Sequence, residues 1–395
     1  RLFNATIVIT GRLDREGDRL LLDMDAVDPS SDRTIRKISI DDHVSNVASF
    51  QEQPPLAIAE ILSIEVSPTA VDRLAASGTV NSEGFEKFLA GTGILASAAD
   101  VAGVDEAIDL LDQATTLDVL FANGRIALGG AYLEKFRITG ERKWIDRSTA
   151  EAERVVADGR YPEGGHQLLA RAYRLDENPS GAAAALERAL RIAPSNADYR
   201  LRLASLYRQL DRADDAERMI QHAIFLRPGY WPGHDALASL YLDQNHIESA
   251  AVEYREVIAS APRLYWGWEH LGAMLSFLDQ PEEARKAFER SIEIKPTAVA
   301  LSNLGTLYFN DKRYADAAAA FELALEEDNT RYILWGNLAH AYRFGLAPEK
   351  AEDCYRRAVE LGEAYLSEHP DDPWIFTDLA SYHAMLGNRD RGLEL

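Results

Sequence analysis

The chain has one cysteine in 395 residues, Cys354, so an internal disulfide is excluded. A single thiol does not decide a redox compartment, and Cys354, on the apolar side of an expected helix, reads as a small buried residue. No run of 18 apolar residues exists, so no segment suits a membrane-spanning helix. No signal-peptide pattern opens the chain either. Basic residues are the minority. The 42 Lys and Arg against 64 Asp and Glu give a formal charge of −22, which disfavours a nucleic-acid partner. The 9 histidines are scattered, with no His-Glu-x-x-His and no Cys-x-x-Cys, so neither a metal nor a cofactor is expected. His-Arg-Asp, Asp-Phe-Gly, a glycine-rich phosphate loop and a Gly-x-Ser-x-Gly elbow are all missing, and the chain reads as non-enzymatic. Ala347-Pro348-Glu349 reproduces a kinase tripeptide, but it falls in a turn and lacks its companions.

A 34-residue period is what the chain does have. Pro194, Pro228, Pro262 and Pro296 are 34 residues apart. Ala170, Ala204, Ala238, Gly272, Gly305 and Ala339 keep nearly the same step. Twelve residues after each comes Ala182, Ala216, Ala250, Ala284, Ala317 or Ala351. Four further on stand Leu186, Ile220, Tyr254, Phe288, Phe321 and Tyr355. Three beyond those are Ala189, Ala223, Val257, Ser291, Ala324 and Ala358. Coincident columns over six units resemble the tetratricopeptide repeat (TPR). The fold expected is mostly α: a right-handed TPR α-solenoid of about eight helix-turn-helix repeats with a small N-terminal α+β segment. Small residues at repeat positions 8 and 20 let helices A and B approach, the bulky residue at 24 fills the gap to the next unit, and proline near 32 ends helix B.

In chain order, residues 4–13, 19–27 and 34–40 alternate as strands. Arg15-Glu16-Gly17-Asp18 is a turn and Asp28–Asp32 a loop, and the small sheet is expected to need partners from elsewhere. Helix is expected from about His43, broken at Pro54-Pro55. The organisation expected is an α+β segment over 1–65, a linker over 66–82 with a short helix from Ala70 to Ala76, and repeats over 83–395. Asn81 caps the first repeat helix. The step from Gly129 to Ala170 is 41 residues, and so is that from Ala339 to Ala380. These mark long repeats at 121–162 and 332–372. Two extra turns are expected in the first, one on each arm of the hairpin around Gly140, and a prolonged B helix through Leu366 in the second. The chain opens on Arg1 rather than Met and stops inside a hairpin at Leu395, which suggests a fragment or a processed chain.

The TPR resemblance implies that A-helix positions 2, 5, 6, 9, 12 and 13 line a concave groove. In this sequence they fall into two zones. Arg171, Arg174, Arg202 and Arg208 form a basic cluster suited to an acidic or phosphorylated peptide, or else they pair with Asp198, Asp235 or Asp243. Trp266, Phe277, Asn303, Phe309, Asn337, Phe344 and Trp374 form the second zone. Asn303 and Asn337 hold position 6 of consecutive units, where an amide can grip a peptide backbone. This is similar to the asparagine ladder of O-linked N-acetylglucosamine transferase; a helix-surface or capping role is the alternative. Trp266 and Phe277 are expected wholly or partly buried. His234, His270 and His340 lie on A helices as surface or groove residues.

Nearly the whole chain resembles the C-terminal region of bacterial eukaryotic-like Ser/Thr protein kinases that carry TPR arrays. The stretches Gly11-Arg12-Leu13 to Ala26-Val27-Asp28, Ile61 to Pro68, Asn81 to Gly91 and Leu301 to Phe309 carry it, the first being similar to half of a TolB/FlgO-like domain. Similar regions follow nucleotide-cyclase or transcription-regulator domains. The resemblance implies a sensory or scaffolding module that holds a protein or peptide in its groove, on the periplasmic rather than the cytoplasmic side. Self-assembly through the strand edge or the solenoid end is the rival reading.

Overall fold

The structure, a computed structural model, describes residues 7–28, 33–62, 66–98, 100–345 and 347–394. Their contacts separate two units, Arg1–Pro228 and Gly229–Leu395. The first unit begins with an antiparallel meander of β1 (Val8–Glu16), β2 (Arg19–Asp28) and β3 (Arg33–His43), with β2 in the middle. Gly17 has a left-handed φ of 62° and, with Asp18, makes the two-residue link that sets Glu16 opposite Arg19. Residues 4–6 of the first expected strand and 29–32 of the expected loop lie outside the described residues.

The period-2 pattern of β2 buries Leu20, Met24 and Ala26 and exposes Asp23. Across that face runs α1 (Val47–Ile61), one helix that passes through Pro54 and Pro55. The expected break is therefore absent. Val47 and Phe50 before the prolines, and Ala57 and Ile58 after them, pack on one core with Leu20, Met24 and Ile40. Burial at about 1.5–3 kcal/mol per large apolar side chain on both flanks offsets an interior proline penalty of about 3 kcal/mol. The sheet finds its further partners in this chain, because Phe85 and Phe121 close the same core.

Helix α2 (Pro68–Ser77) starts at Ser67, whose side chain accepts from the Ala70 N–H, and ends at Gly78. The repeat helices of this unit follow as α3 (Ser82–Ser97), α4 (Val101–Leu117), α5 (Ala122–Thr139), α6 (Lys143–Asp158), α7 (Pro162–Leu175), α8 (Pro179–Ile192), α9 (Ala197–Gln209) and α10 (Ala213–Leu226). Asn81 caps α3 by accepting from the Gly84 N–H. The second unit holds α11 (Trp231–Asp243), α12 (Ile247–Ser260), α13 (Tyr265–Phe277), α14 (Pro281–Ile294), α15 (Ala298–Asn310), α16 (Tyr314–Glu327), α17 (Tyr332–Phe344), α18 (Pro348–Glu368), α19 (Pro373–Met385) and α20 (Arg389–Glu394). From α3 onward the odd helices are A and the even ones B.

The columns of the sequence are the core. Every alanine at position 20 from Ala182 to Ala351 is buried, as is every large residue at position 24 from Leu186 to Tyr355. Helices α8, α10, α12 and α14 each stop two residues before a proline of the 34-residue ruler. Five of the A–B turns share a device that no glycine announces. Glu177, Asp211, Asn245, Asp279 and Lys312 all have φ between 54° and 60°. The next residue's N–H then reaches back five residues, as from Arg212 to the Tyr207 carbonyl and from Arg313 to the Tyr308 carbonyl.

The long repeats differ from expectation in one respect. Regular A helices such as α9 have 13 residues and B helices such as α10 have 14. Helix α5 has 18 and α6 has 16, so most of the excess sits on the A arm rather than one turn on each. Burial explains the asymmetry: Phe136 in the added part of α5 packs on the core that holds Tyr132 and Trp144. The second excess lies wholly in α18, whose 21 residues carry Tyr365 and Leu366 onto the core of its unit.

Candidate functional site

In the second unit α13, α15, α17 and α19 touch one another in succession, which sets equal repeat positions side by side. Asn303 of α15 and Asn337 of α17 are half-buried, and neither side-chain amide makes a hydrogen bond among the described residues. They are not caps, since each lies inside its helix. Two apolar columns flank them. At position 2 stand Trp266, Val299, Ile333 and Trp374, the last three exposed. At position 13 stand Phe277 and Phe344, both exposed. Val299 and Ile333 were legible as members of the column defined by Trp266 and Trp374, but their side chains are too ordinary to attract notice.

Trp266 is half-buried, edge-on to Trp231 at 5.3 Å and to His270 at 5.7 Å between centroids. Phe277 corrects the expectation of burial, for it is 75% exposed. It is the last residue of α13. Phe309 is half-buried within a ring cluster, 5.3 Å from Tyr314 and 5.8 Å from Phe344, and Tyr314 stacks on Phe344 at 5.7 Å.

His340 is half-buried, with Nδ1 2.7 Å from the Tyr355 hydroxyl. Burial pulls its pKa below the usual histidine range; Arg343 adds to the pull and Asp378 opposes it. His234 is not a surface residue. It is buried, with Nδ1 2.8 Å from Glu253 Oε2, because a carboxylate satisfies its ring inside the helix pair. Cys354 is buried as expected, and burial pushes its thiol up to about 11.

The basic zone lies in the first unit. Arg171 is half-buried in α7, while Arg174 and Arg202 are exposed. The Arg171 guanidinium lies over Gly130 of α5, where a Cβ would meet Nη1 at 3.6 Å and Nη2 at 3.9 Å. Burial lowers the Arg171 pKa first of all; Glu134 then opposes that shift, while Arg137, Arg202 and Arg174 reinforce it. Among the described residues Arg171, Arg174 and Arg202 have no ion pair or hydrogen-bond partner. Asp198 faces Arg227 at 3.9 Å instead. Arg208 is half-buried on α9. Arg137 is the member that repeat counting misses, because it stands on the part of α5 that exceeds a regular A helix.

Among the described residues no group of three His, Cys, Asp or Glu is placed to hold a metal ion, and no helix is long and apolar enough to cross a membrane. Two family models described as tetratricopeptide repeat match the chain, at residues 173–237 and 275–331. Curated relatives include a BBSome complex member BBS4 homolog of Drosophila melanogaster, 24% identical, which covers 48% of this chain and 40% of that protein. The Hsp70-Hsp90 organizing protein of Triticum aestivum is 29% identical and covers 34% of this chain and 22% of that one. The match thus spans less than half of each relative. Solved structures that resemble it include YrrB, described as a TPR protein with an unusual peptide-binding site, at TM-score 0.41 and 19% identity over 46% of this chain and 93% of that one. Another is Pseudomonas aeruginosa pilF, at TM-score 0.46 and 16% identity over 56% and 96%. With the period, the buried columns and the two matching stretches in agreement, the chain carries tetratricopeptide repeats, arranged as a helical repeat array beside a small three-stranded sheet.

Proposed function

We propose that this chain is a non-enzymatic protein-binding module, and that the A-helix face of its second unit holds an extended segment of a partner protein. The observation that carries this reading is the pair Asn303 and Asn337. Each offers a donor and an acceptor, unclaimed among the described residues, at the same position of touching A helices. A peptide backbone presents the complementary groups at every residue, so two such amides grip it whatever its side chains. The flanking columns of Val299, Ile333 and Trp374 on one side and Phe277 and Phe344 on the other offer apolar seats for alternate side chains. The names of the curated relatives, a complex member and an organizing protein, describe assembly with other proteins.

Selection of a random 12-residue peptide library against the purified chain, followed by titration of the winners, tests this. Asn303→Ala with Asn337→Ala should weaken the selected peptides by roughly tenfold or more, at about 1 kcal/mol or more per lost hydrogen-bonding residue. Unchanged affinity removes the reading. In its finer form the module belongs to a bacterial signalling protein of the Ser/Thr kinase type, on the periplasmic side of the membrane. The sequence resemblance supports that setting, and a full-length gene product with neither a kinase domain nor a membrane helix would oppose it.

Self-assembly is favoured by one observation of its own. Among the described residues β1 pairs only with β2, which leaves its other edge open. Light scattering that gives a monomer mass at every concentration would exclude it.

A further inference from the structure

The first unit carries a charge arrangement that folding alone does not explain. Arg171 is half-buried; Arg137, Arg202 and Arg174 weigh against its charge, and the Glu134 carboxylate favours it. That carboxylate is already engaged, since Arg137 Nη1 donates to Glu134 Oε1 at 3.1 Å. Acidic residues are abundant elsewhere, 64 in all, and arginines such as Arg142, Arg212, Arg285 and Arg313 have found carboxylates. The cluster is therefore not short of acids for want of composition. Arg171 and Arg174 stand on α7 at repeat positions 9 and 12 and Arg202 on α9 at position 6; in the second unit His340 holds position 9, Phe309 position 12, and Asn303 and Asn337 position 6. Gly130 lets the Arg171 fork lie against bare backbone, and among the described residues no carboxylate pairs with it.

We infer that the A-helix face of the first unit is an oxyanion site for an acidic segment of a partner protein, with Arg171, Arg174 and Arg202 as the forks that take its carboxylates. The inference deepens the peptide-binding reading and rests on it, but its residues lie in the other unit. Guanidinium forks match carboxylate geometry with two parallel hydrogen bonds. A bound carboxylate also relieves the mutual repulsion that the empty cluster holds. A short acidic segment fits better than a nucleic acid. The chain's charge of −22 opposes a long polyanion, while a local cluster within a Debye length of about 8 Å still attracts a short one.

The test is fluorescence anisotropy with the whole chain and a labelled peptide containing six consecutive glutamates, beside its glutamine counterpart, a phosphoserine version and a 20-nucleotide single strand. The glutamate peptide should bind, weaken steeply with added salt, and lose roughly tenfold or more in Arg174→Glu/Arg202→Glu, both exposed positions. Peptides selected for the second unit should bind that variant unchanged, which separates failure here from failure of the broader reading. Tighter binding of the phosphoserine peptide supports the site and makes phosphorylated segments its preferred form. Equal binding of the glutamate and glutamine peptides, or tighter binding of the oligonucleotide than of either, overturns the inference. Thermal unfolding adds an independent arm. Arg171→Gln should melt no lower than the unaltered chain, because it removes repulsion. A clear drop would mean that Arg171 serves the fold and not a ligand.

Discussion

A Cβ placed on Gly305 would stand 2.8 Å from Cε1 of Phe321, so position 8 of this repeat is glycine because the ring at position 24 occupies the space. Gly272 and Phe288 repeat the relationship at the same 2.8 Å. Real Cβ atoms do not approach so closely, so Gly305→Ala must displace the ring or part the two helices. Overpacking of this kind costs about 1–3 kcal/mol. Urea titration should show that loss, and Gly305→Ala with Phe321→Leu should recover part of it. An alanine that left stability unchanged would contradict the packing described.

The A–B turns offer the opposite change. Lys312 and Asp279 sit in the left-handed region at φ 60° and 55°. A side chain there costs roughly 1 kcal/mol that glycine avoids. Lys312→Gly and Asp279→Gly should each raise stability by up to about 1 kcal/mol, while Asn245→Gly should do less because asparagine tolerates that region. Chemical denaturation of the three variants checks the order.

Acid should weaken the fold before its carboxylates titrate. Burial lowers the pKa of His166, with Arg188 and Arg191 adding to it, and of His340, with Arg343 adding and Asp378 opposing. A lowered histidine pKa means that the unfolded chain takes up the proton first. Stability is therefore fully present above about pH 6.5 and falls as pH drops from there toward the folded-state values. Melting temperature should decline between pH 7.5 and 5.5, and His340→Gln should flatten part of that decline. A flat profile in the unaltered chain would contradict the burial of both rings.

Cys354 reports on local opening. It is buried, with its thiol pushed up to about 11, so it is almost wholly protonated and shielded at pH 8. A disulfide reagent should label the folded chain far more slowly than the urea-unfolded chain. Rapid labelling would mean that the second unit opens readily around α18.

Much of this was legible in the residues. The columns at positions 8, 20, 24 and 27 named the core because close packing admits few side chains there, and Asn81, Gly17 and the prolines marked ends by their backbone chemistry. What escaped notice depends on tertiary contact. Pro54 and Pro55 look like a break until Phe50 and Ile58 are seen on one core. Apart from Asn245, the left-handed turns carry Glu, Asp or Lys, which give little local signal. In the candidate sites, position alone picked out Asn303, Asn337, Arg171 and Arg202. Arg137 was hidden by the lengthened α5, and the exposure of Phe277 by its place at a helix end.

In the proposed complex Asn303 and Asn337, unclaimed among the described residues, grip a partner's backbone. Calorimetric titration of a library-selected peptide into the unaltered chain and into Asn303→Ala/Asn337→Ala tests it most directly. A loss of roughly tenfold or more in affinity with an unchanged melting temperature is the result predicted. Equal affinity for both proteins would contradict it.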